Sequence, residues 1–131
     1  MSTNPMVRDG DAVKAEPVDA AEGLSKAVLL DESDGTPTFA LRRFTLAAGA
    51  SVPRHTNAVE HVQYVLAGEY VVGIEGTDGD DELANGEHRI GPGDSLLIPA
   101  GTVHWYRNEG ERAGEFLCAV PNGDDAIEVV E

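Results

Sequence analysis

Between the turn-forming glycines Gly49 and Gly68 the chain places His55, Asn57 and His61 at odd-numbered positions. Val62 to Leu66 follow, a run rich in residues that favour a pleated strand. Side chains alternate faces along a strand, so residues an even number of positions apart share a face when the intervening turn keeps register. Two imidazoles and a carboxamide can therefore converge. A third imidazole, His104, stands far along the chain in Gly93-Asp-Ser-Leu-Leu-Ile-Pro-Ala-Gly-Thr-Val-His-Trp-Tyr-Arg-Asn108. Three neutral imidazoles on rigid strands suit one divalent transition metal ion and leave positions open for water or substrate. Asn57 offers a carbonyl oxygen, harder and weaker than imidazole, as an optional fourth ligand. As a non-ligand it would orient a water or bond the hairpin backbone.

Other side chains gather around these by parity. Gln63 lies two residues beyond His61 and Tyr106 two beyond His104, so both are candidates to contact a substrate. Arg42 and Arg43 are adjacent on a strand, so one of them faces the interior, where it needs a partner or a substrate carboxylate. Glu60 has the opposite parity to His61 and is expected to support the site through a salt link to Arg54 or Arg42. Tyr64 and Trp105 face away and should pack against a second layer or a partner subunit. Cys118 reads as a small buried hydrophobe, with no basic neighbour in sequence to activate it. His88, between Glu87 and Arg89, reads as a surface histidine.

These residues need short strands to hold them. Strands are expected over Ala27 to Leu30, Thr38 to Ala47, Val52 to Thr56, His61 to Leu66, Tyr70 to Glu75, Glu87 to Ile90, Ser95 to Ile98, Val103 to Asn108, Glu115 to Val120 and Ala126 to Val130. Glycine-rich turns between them and the lack of a long helical period indicate an all-β sandwich or barrel. The acidic stretch Thr77-Asp-Gly-Asp-Asp-Glu lacks the full spacing of a calcium loop and reads as a solvated turn. Pro17 to Gly23 is expected to make one helical turn, after a loose arm over residues 1 to 16.

The two His-bearing stretches resemble the two motifs of the cupin family. The second fits G-x5-P-x-G-x2-H-x3-N at Gly93, Pro99, Gly101, His104 and Asn108. The first follows G-x5-H-x-H-x3-E-x6-G at Gly49, His55 and Gly68, with Asn57 in place of the second His and His61 in place of the Glu. The resemblance covers roughly residues 27 to 121. It implies a double-stranded β-helix, a jelly-roll barrel forming a single domain over residues 27–131. It also implies one metal ion per chain (Mn, Fe, Ni, Cu or Zn) on His55, His61 and His104, and a homodimer formed by exchange or packing of N-terminal strands, a role that would suit the arm of residues 1–26. The function expected is that of a metal-binding cupin acting on a small organic substrate as an oxygen-dependent, dioxygenase-like oxidoreductase. A metal-dependent isomerase or lyase and a non-catalytic binding module are the alternatives.

Size and composition agree with one domain: 131 residues, 41% of them hydrophobic, with no long apolar run and one cysteine, which excludes an internal disulfide. The polar, acidic N-terminus does not resemble a signal peptide, so a cytoplasmic location is expected. Twenty-four acidic residues face nine basic ones, a formal charge of −15, which disfavours binding to nucleic acid or to an anionic membrane through phosphates. Such a chain suits a halophilic setting, since the Debye length shrinks to about 3 Å at 1 M salt and self-repulsion is relieved. The urea midpoint is therefore expected to rise as KCl is added; a midpoint indifferent to KCl would refute this.

Overall fold

The computed structural model describes residues 3–76 and 81–130; Thr77 to Asp80, four of the six residues of the expected acidic turn, lie outside them. Eleven strands are formed among the described residues: β1 Glu16–Pro17, β2 Leu24–Leu30, β3 Phe39–Leu46, β4 Ser51–Asn57, β5 His61–Ala67, β6 Tyr70–Glu75, β7 Asn85–Ile90, β8 Ser95–Ile98, β9 Val103–Arg107, β10 Gly114–Pro121 and β11 Ile127–Val129. They build two antiparallel sheets, of order β1-β2-β3-β10-β5-β8 and β11-β4-β9-β6-β7. Facing each other, these sheets make the all-β barrel that the strand spacing predicts, with the jelly-roll form that the resemblance implies. No described helix is long and apolar enough to cross a membrane.

Two local expectations fail. Residues after Pro17 make a tight turn instead of a helical one, with Val18 N–H bonded to Leu24 O at 2.9 Å. As a result β2 begins three residues earlier than expected, because β1 pairs back onto it through Glu16 and Pro17. The arm lies along its own chain: Arg8 donates to both oxygens of Asp34, at 2.9 and 2.6 Å, and to Leu29 O at 2.7 Å.

Burial alternates as the pleat requires. In β5, His61, Gln63 and Val65 are buried while Val62, Tyr64 and Leu66 are exposed; in β10, Gly114, Phe116, Cys118 and Val120 point inward. The apolar half of the interior is Leu46, Val65, Tyr70, Tyr106 and Phe116, with the Phe116 ring 5.7 Å from Tyr106 and 5.2 Å from Phe44. Burying each such side chain contributes roughly 1.5–3 kcal/mol. Motif residues serve the turns. Gly68, at φ 76°, passes so close to Ala113 that a Cβ would lie 2.3 Å from its carbonyl oxygen. Asn108 clamps the end of β9, donating to Leu46 O at 3.1 Å and Arg112 O at 2.8 Å and accepting from Gly110 N–H at 3.0 Å.

Trp105 holds β9 from outside. It pairs across the sheet with Gly73, where a Cβ would stand 1.9 Å from the indole, and its Nε1–H donates to Glu87 at 2.8 Å. Gly73→Ala must displace this indole. Overpacking of this kind costs about 1–3 kcal/mol, and the fluorescence of the chain's one tryptophan should shift along with the urea midpoint. An unchanged midpoint would show that the indole is not pinned there.

Candidate functional site

Three elements converge on one end of the barrel. Antiparallel pairing of β4 with β9 sets His55 directly opposite His104, and their ring centroids lie 4.1 Å apart. A register shift between Val52 and His55 turns Val52, His55 and Asn57 to the same side despite their mixed parity. Pro53 sits in that irregularity, where no ladder N–H is required of it. His61 comes from β5 on the facing sheet, its ring 6.4 Å from that of His104.

Hydrogen bonds define which ring nitrogens are free. His55 Nδ1 lies 2.7 Å from Pro53 O and His104 Nδ1 2.8 Å from Thr102 O. A carbonyl oxygen only accepts, so both Nδ1 atoms carry the hydrogen and both Nε2 lone pairs are left for the cavity. Backbone carbonyls orient metal-binding histidines in this way. Burial depresses both rings, His104 to about 4, so both are neutral at neutral pH.

The opposite wall is charged. Cross-strand pairing lines up Arg42 on β3, Cys118 on β10 and Gln63 on β5. Arg42 is buried, with Nη1 donating to Asp125 Oδ2 at 3.0 Å and Nη2 lying 3.5 Å from both His61 Nε2 and Cys118 Sγ. His61 Nε2 is 3.0 Å from the same Asp125 oxygen, and its Nδ1 is 3.3 Å from Cys118 Sγ. Burial alone would lower His61; hydrogen bonds to Asp125 and Cys118 outweigh it and raise the ring to about 9. Burial likewise pushes Cys118 and Asp125 upward, yet contact with His61 and Arg42 brings both below their ordinary values. Gln63 Nε2 donates to the Tyr106 hydroxyl at 2.8 Å, and burial raises that phenol, so its own proton is kept for another acceptor.

The three histidines, Arg42, Asn57, Gln63, Tyr106 and Asp125 line a cavity of ≈ 90 Å³, together with Val18, Leu24, Phe44, Val52, Phe116 and Ile127. At roughly 10–15 Å³ per water-sized group it holds roughly six to nine such groups, the size of a small organic molecule. Its walls carry buried oxygens without a donor: Asn57 Oδ1, Gln63 Oε1 and Asp125 Oδ1. Together with the two free imidazole lone pairs they leave five acceptors without a donor around one cavity, a donor set that fits a divalent cation. Among the described residues no three His, Cys, Asp or Glu side chains are already drawn together as a closed metal cluster. His55 and His104 are ready, whereas His61 is held by Asp125.

The structure thus gathers His55, Asn57, His61, Gln63, His104, Tyr106 and Arg42 around one space. Arg43 turns to the other face of β3, toward Gly10 O at 3.4 Å and Glu115 at 3.8 Å, and lines no part of the cavity. Glu60 is exposed, and neither expected partner is left to it: Arg54 reaches Glu75 at 2.6 Å and Arg42 reaches Asp125. Sequence reasoning missed Asp125, in the turn before β11. It also missed the neighbours of Cys118, which is buried as expected but lies against a histidine and an arginine from other strands. Pairing of β11 with β4, Ile127 opposite Asn57, brings Asp125 over the cavity, and no local pattern announces that register.

Residues 42–120 match the family model described as Cupin domain. Among solved structures, the chain is similar to the polyketide cyclase RemF from Streptomyces resistomycificus at 28% identity and a TM-score of 0.81, over 97% of this chain and 87% of that one. Fold alone is shared with a cupin-2 domain from Rhodospirillum rubrum (18% identity, TM-score 0.75, 100% and 84% covered). The same holds for a predicted oxalate decarboxylase from Thermotoga maritima (24% identity, TM-score 0.70, 88% and 98% covered). Among curated proteins none matches the chain.

The two shifted histidines set opposite limits on stability. His61, raised from 6.5 to about 9, stabilises the fold fully below 6.5 and loses that contribution as pH climbs through 9. His104, lowered from 6.5 to about 4, binds its proton more readily in the unfolded chain, so stability falls as pH drops from 6.5 through 4. Urea midpoints of the metal-free protein should therefore peak near pH 6.5, and Asp125→Asn should flatten the alkaline side. A midpoint that rises steadily toward pH 9 would contradict this assignment.

Proposed function

From the premise that the chain belongs to the cupin family, we propose that it is a metal-dependent enzyme that enolises small polycarbonyl compounds and closes them into rings without consuming oxygen. The observation that carries this reading is the division of the cavity. One wall offers neutral imidazole lone pairs from His55 and His104. The other offers a cation and a carboxylate from Arg42 and Asp125, and the Tyr106 phenol stands on the imidazole wall, two residues from His104 on β9. Likeness to a polyketide cyclase along nearly the whole chain points the same way.

His55 and His104 would hold the ion, with Asn57 as an oxygen donor and His61 joining once its Nε2 gives up the proton it shares with Asp125. Mn, Fe, Ni, Cu and Zn all suit such donors. When bound, the ion supplies Lewis acidity toward a carbonyl oxygen. The chain's own groups do the rest. Asp125 Oδ1, which has no donor, takes the α-proton of the substrate, and the C–H electron pair becomes the enolate double bond. Charge then collects on the enolate oxygen, toward which the Tyr106 hydroxyl donates and the Arg42 guanidinium is aimed. Attack of the enolate carbon on a second carbonyl forms the ring bond, and the proton passes to the new alkoxide, so nothing is oxidised or reduced. Phe44, Val52 and Phe116 keep the cavity apolar around these groups, while the half-exposed Val18, Lys26 and Ile127 mark its mouth.

An oxygen-dependent oxidoreductase is the second reading, favoured by the neutral imidazole pair, which leaves an ion several open positions. A homodimer also belongs to the proposal, since Val62, Tyr64, Leu66 and Leu97 form an exposed apolar strip on one sheet face. So does a cytoplasmic, high-salt setting, which suits the −15 charge.

A 1,3,5-tricarbonyl compound given to the metal-loaded protein should cyclise equally fast under argon and in air. Tyr106→Phe should slow the reaction by about 100-fold, the usual loss of one oxyanion donor. Stoichiometric oxygen uptake would replace this reading with the oxidoreductase, and tight binding without turnover would replace it with a non-catalytic module.

A further inference from the structure

The first motif has lost its acidic position to His61, yet a carboxylate stands beside that same histidine. We propose that Asp125, delivered by the C-terminal segment, is a metal ligand and supplies the acidic group that the motif lacks. This rests on the metal-dependent reading above and goes beyond it in naming a ligand outside both motifs.

Three observations carry the assignment. The first is the separation of His61 Nε2 from Asp125 Oδ2, 3.0 Å. Two ligand atoms each ~2.1 Å from one ion and at right angles are also ~3.0 Å apart. An ion bound to His61 Nε2 on its lone-pair side therefore lands against this oxygen. The carboxylate must then ligate it or be pushed away from a dication inside an apolar wall, and Coulomb's law favours ligation.

The second is how Asp125 uses its oxygens. Two arginine–carboxylate pairs of this chain are two-pronged. Arg8 meets Asp34 at 2.9 and 2.6 Å, and Arg107 meets Glu87 at 2.6 and 3.0 Å, each with both oxygens engaged. Asp125 departs from this pattern. Arg42 gives it a single bond, Oδ2 is shared with His61, and Oδ1 is buried without a donor while Arg42 Nε is buried without an acceptor. A carboxylate kept only to neutralise Arg42 would close the second bond.

The third is placement. The Asp125 side chain is 13% exposed and lines the same cavity as His55, His61 and His104. The Ala58 N–H bond to Ala126 O, 3.0 Å, and the β11–β4 pairing fix the backbone on either side of it to the strand that carries His55 and Asn57. Arg42 then holds the carboxylate in place, as outer partners of metal-bound carboxylates do.

Co(II) is the probe, because its visible bands report the donor set. The metal-free chain and its Asp125→Asn, His104→Ala and Asp125→Asn/Arg42→Met variants are titrated with CoCl2; the double variant removes the unpaired buried guanidinium in case the single one unfolds. Asp125→Asn and the double variant should each weaken Co(II) by more than about 100-fold, beyond the 10–100-fold typical of an outer partner, and shift the bands. If the variants keep wild-type affinity, or lose affinity with band positions unchanged, Asp125 is not a ligand and the metal-dependent reading stands without it. If the unaltered chain takes up no Co(II), both fall together.

Discussion

A guanidinium enclosed in an apolar barrel cannot stay unpaired, and much of this molecule follows from placing Arg42 there. Leaving such a charge without a partner typically costs about 3–5 kcal/mol. The cation is 7% exposed, its plane set over Phe44 at 5.2 Å. Its nearest anion is Asp125, eighty-three residues later. Satisfying it draws the chain after β10 back across the barrel mouth, which gives β11 a strand to pair with although all three of its residues are exposed. The same contact turns His61 toward Asp125 and leaves Cys118 against His61, so four side chains from four segments are fixed by one charge.

How much of this was legible in the sequence depended on whether the information was local. Strand positions were legible because alternation is local: His61, Gln63 and Val65 share a face, as do His104 and Tyr106, and the structure buries all five. Both motifs were legible because their glycines sit at turns, as Gly68 and Gly101 do at φ 76° and 78°. The helical turn after Pro17 was misread because a short hairpin uses the same proline and glycine, and only the pairing of β1 with β2 decides between them. Which of Arg42 and Arg43 faces inward was open, since parity fixes the difference between neighbours and not its sign. Asp125 was invisible for a stronger reason: its role is set by the register between strands seventy residues apart, which no window of the sequence contains.

The charge distribution separates outside from inside. At −15 the surface repels anions, yet the cavity holds Arg42 and the raised His61 against the one carboxylate of Asp125. An anionic ligand is thus disfavoured at long range and favoured once inside, where water no longer screens the contact. High salt removes the first effect within a few ångströms and leaves the second nearly intact. A strongly acidic exterior and a cationic interior are therefore compatible in brine, where they would oppose each other in dilute buffer.

Family membership leaves the reaction open for a structural reason. Of the fixed motif positions, Gly68, Gly101 and Asn108 make turns and clamps, and only His55 and His104 present lone pairs to the cavity. The groups that would act on a substrate, Arg42, Gln63, Tyr106 and Asp125, occupy positions that the motifs do not constrain. Chains that share the barrel and its two ready imidazoles can therefore differ in every charge facing the substrate while folding alike. In this chain a buried cation is paired with a carboxylate that keeps one oxygen unsatisfied. A fully closed ion pair would only hold the barrel together; an incomplete one keeps an acceptor and a cation available to whatever enters the cavity.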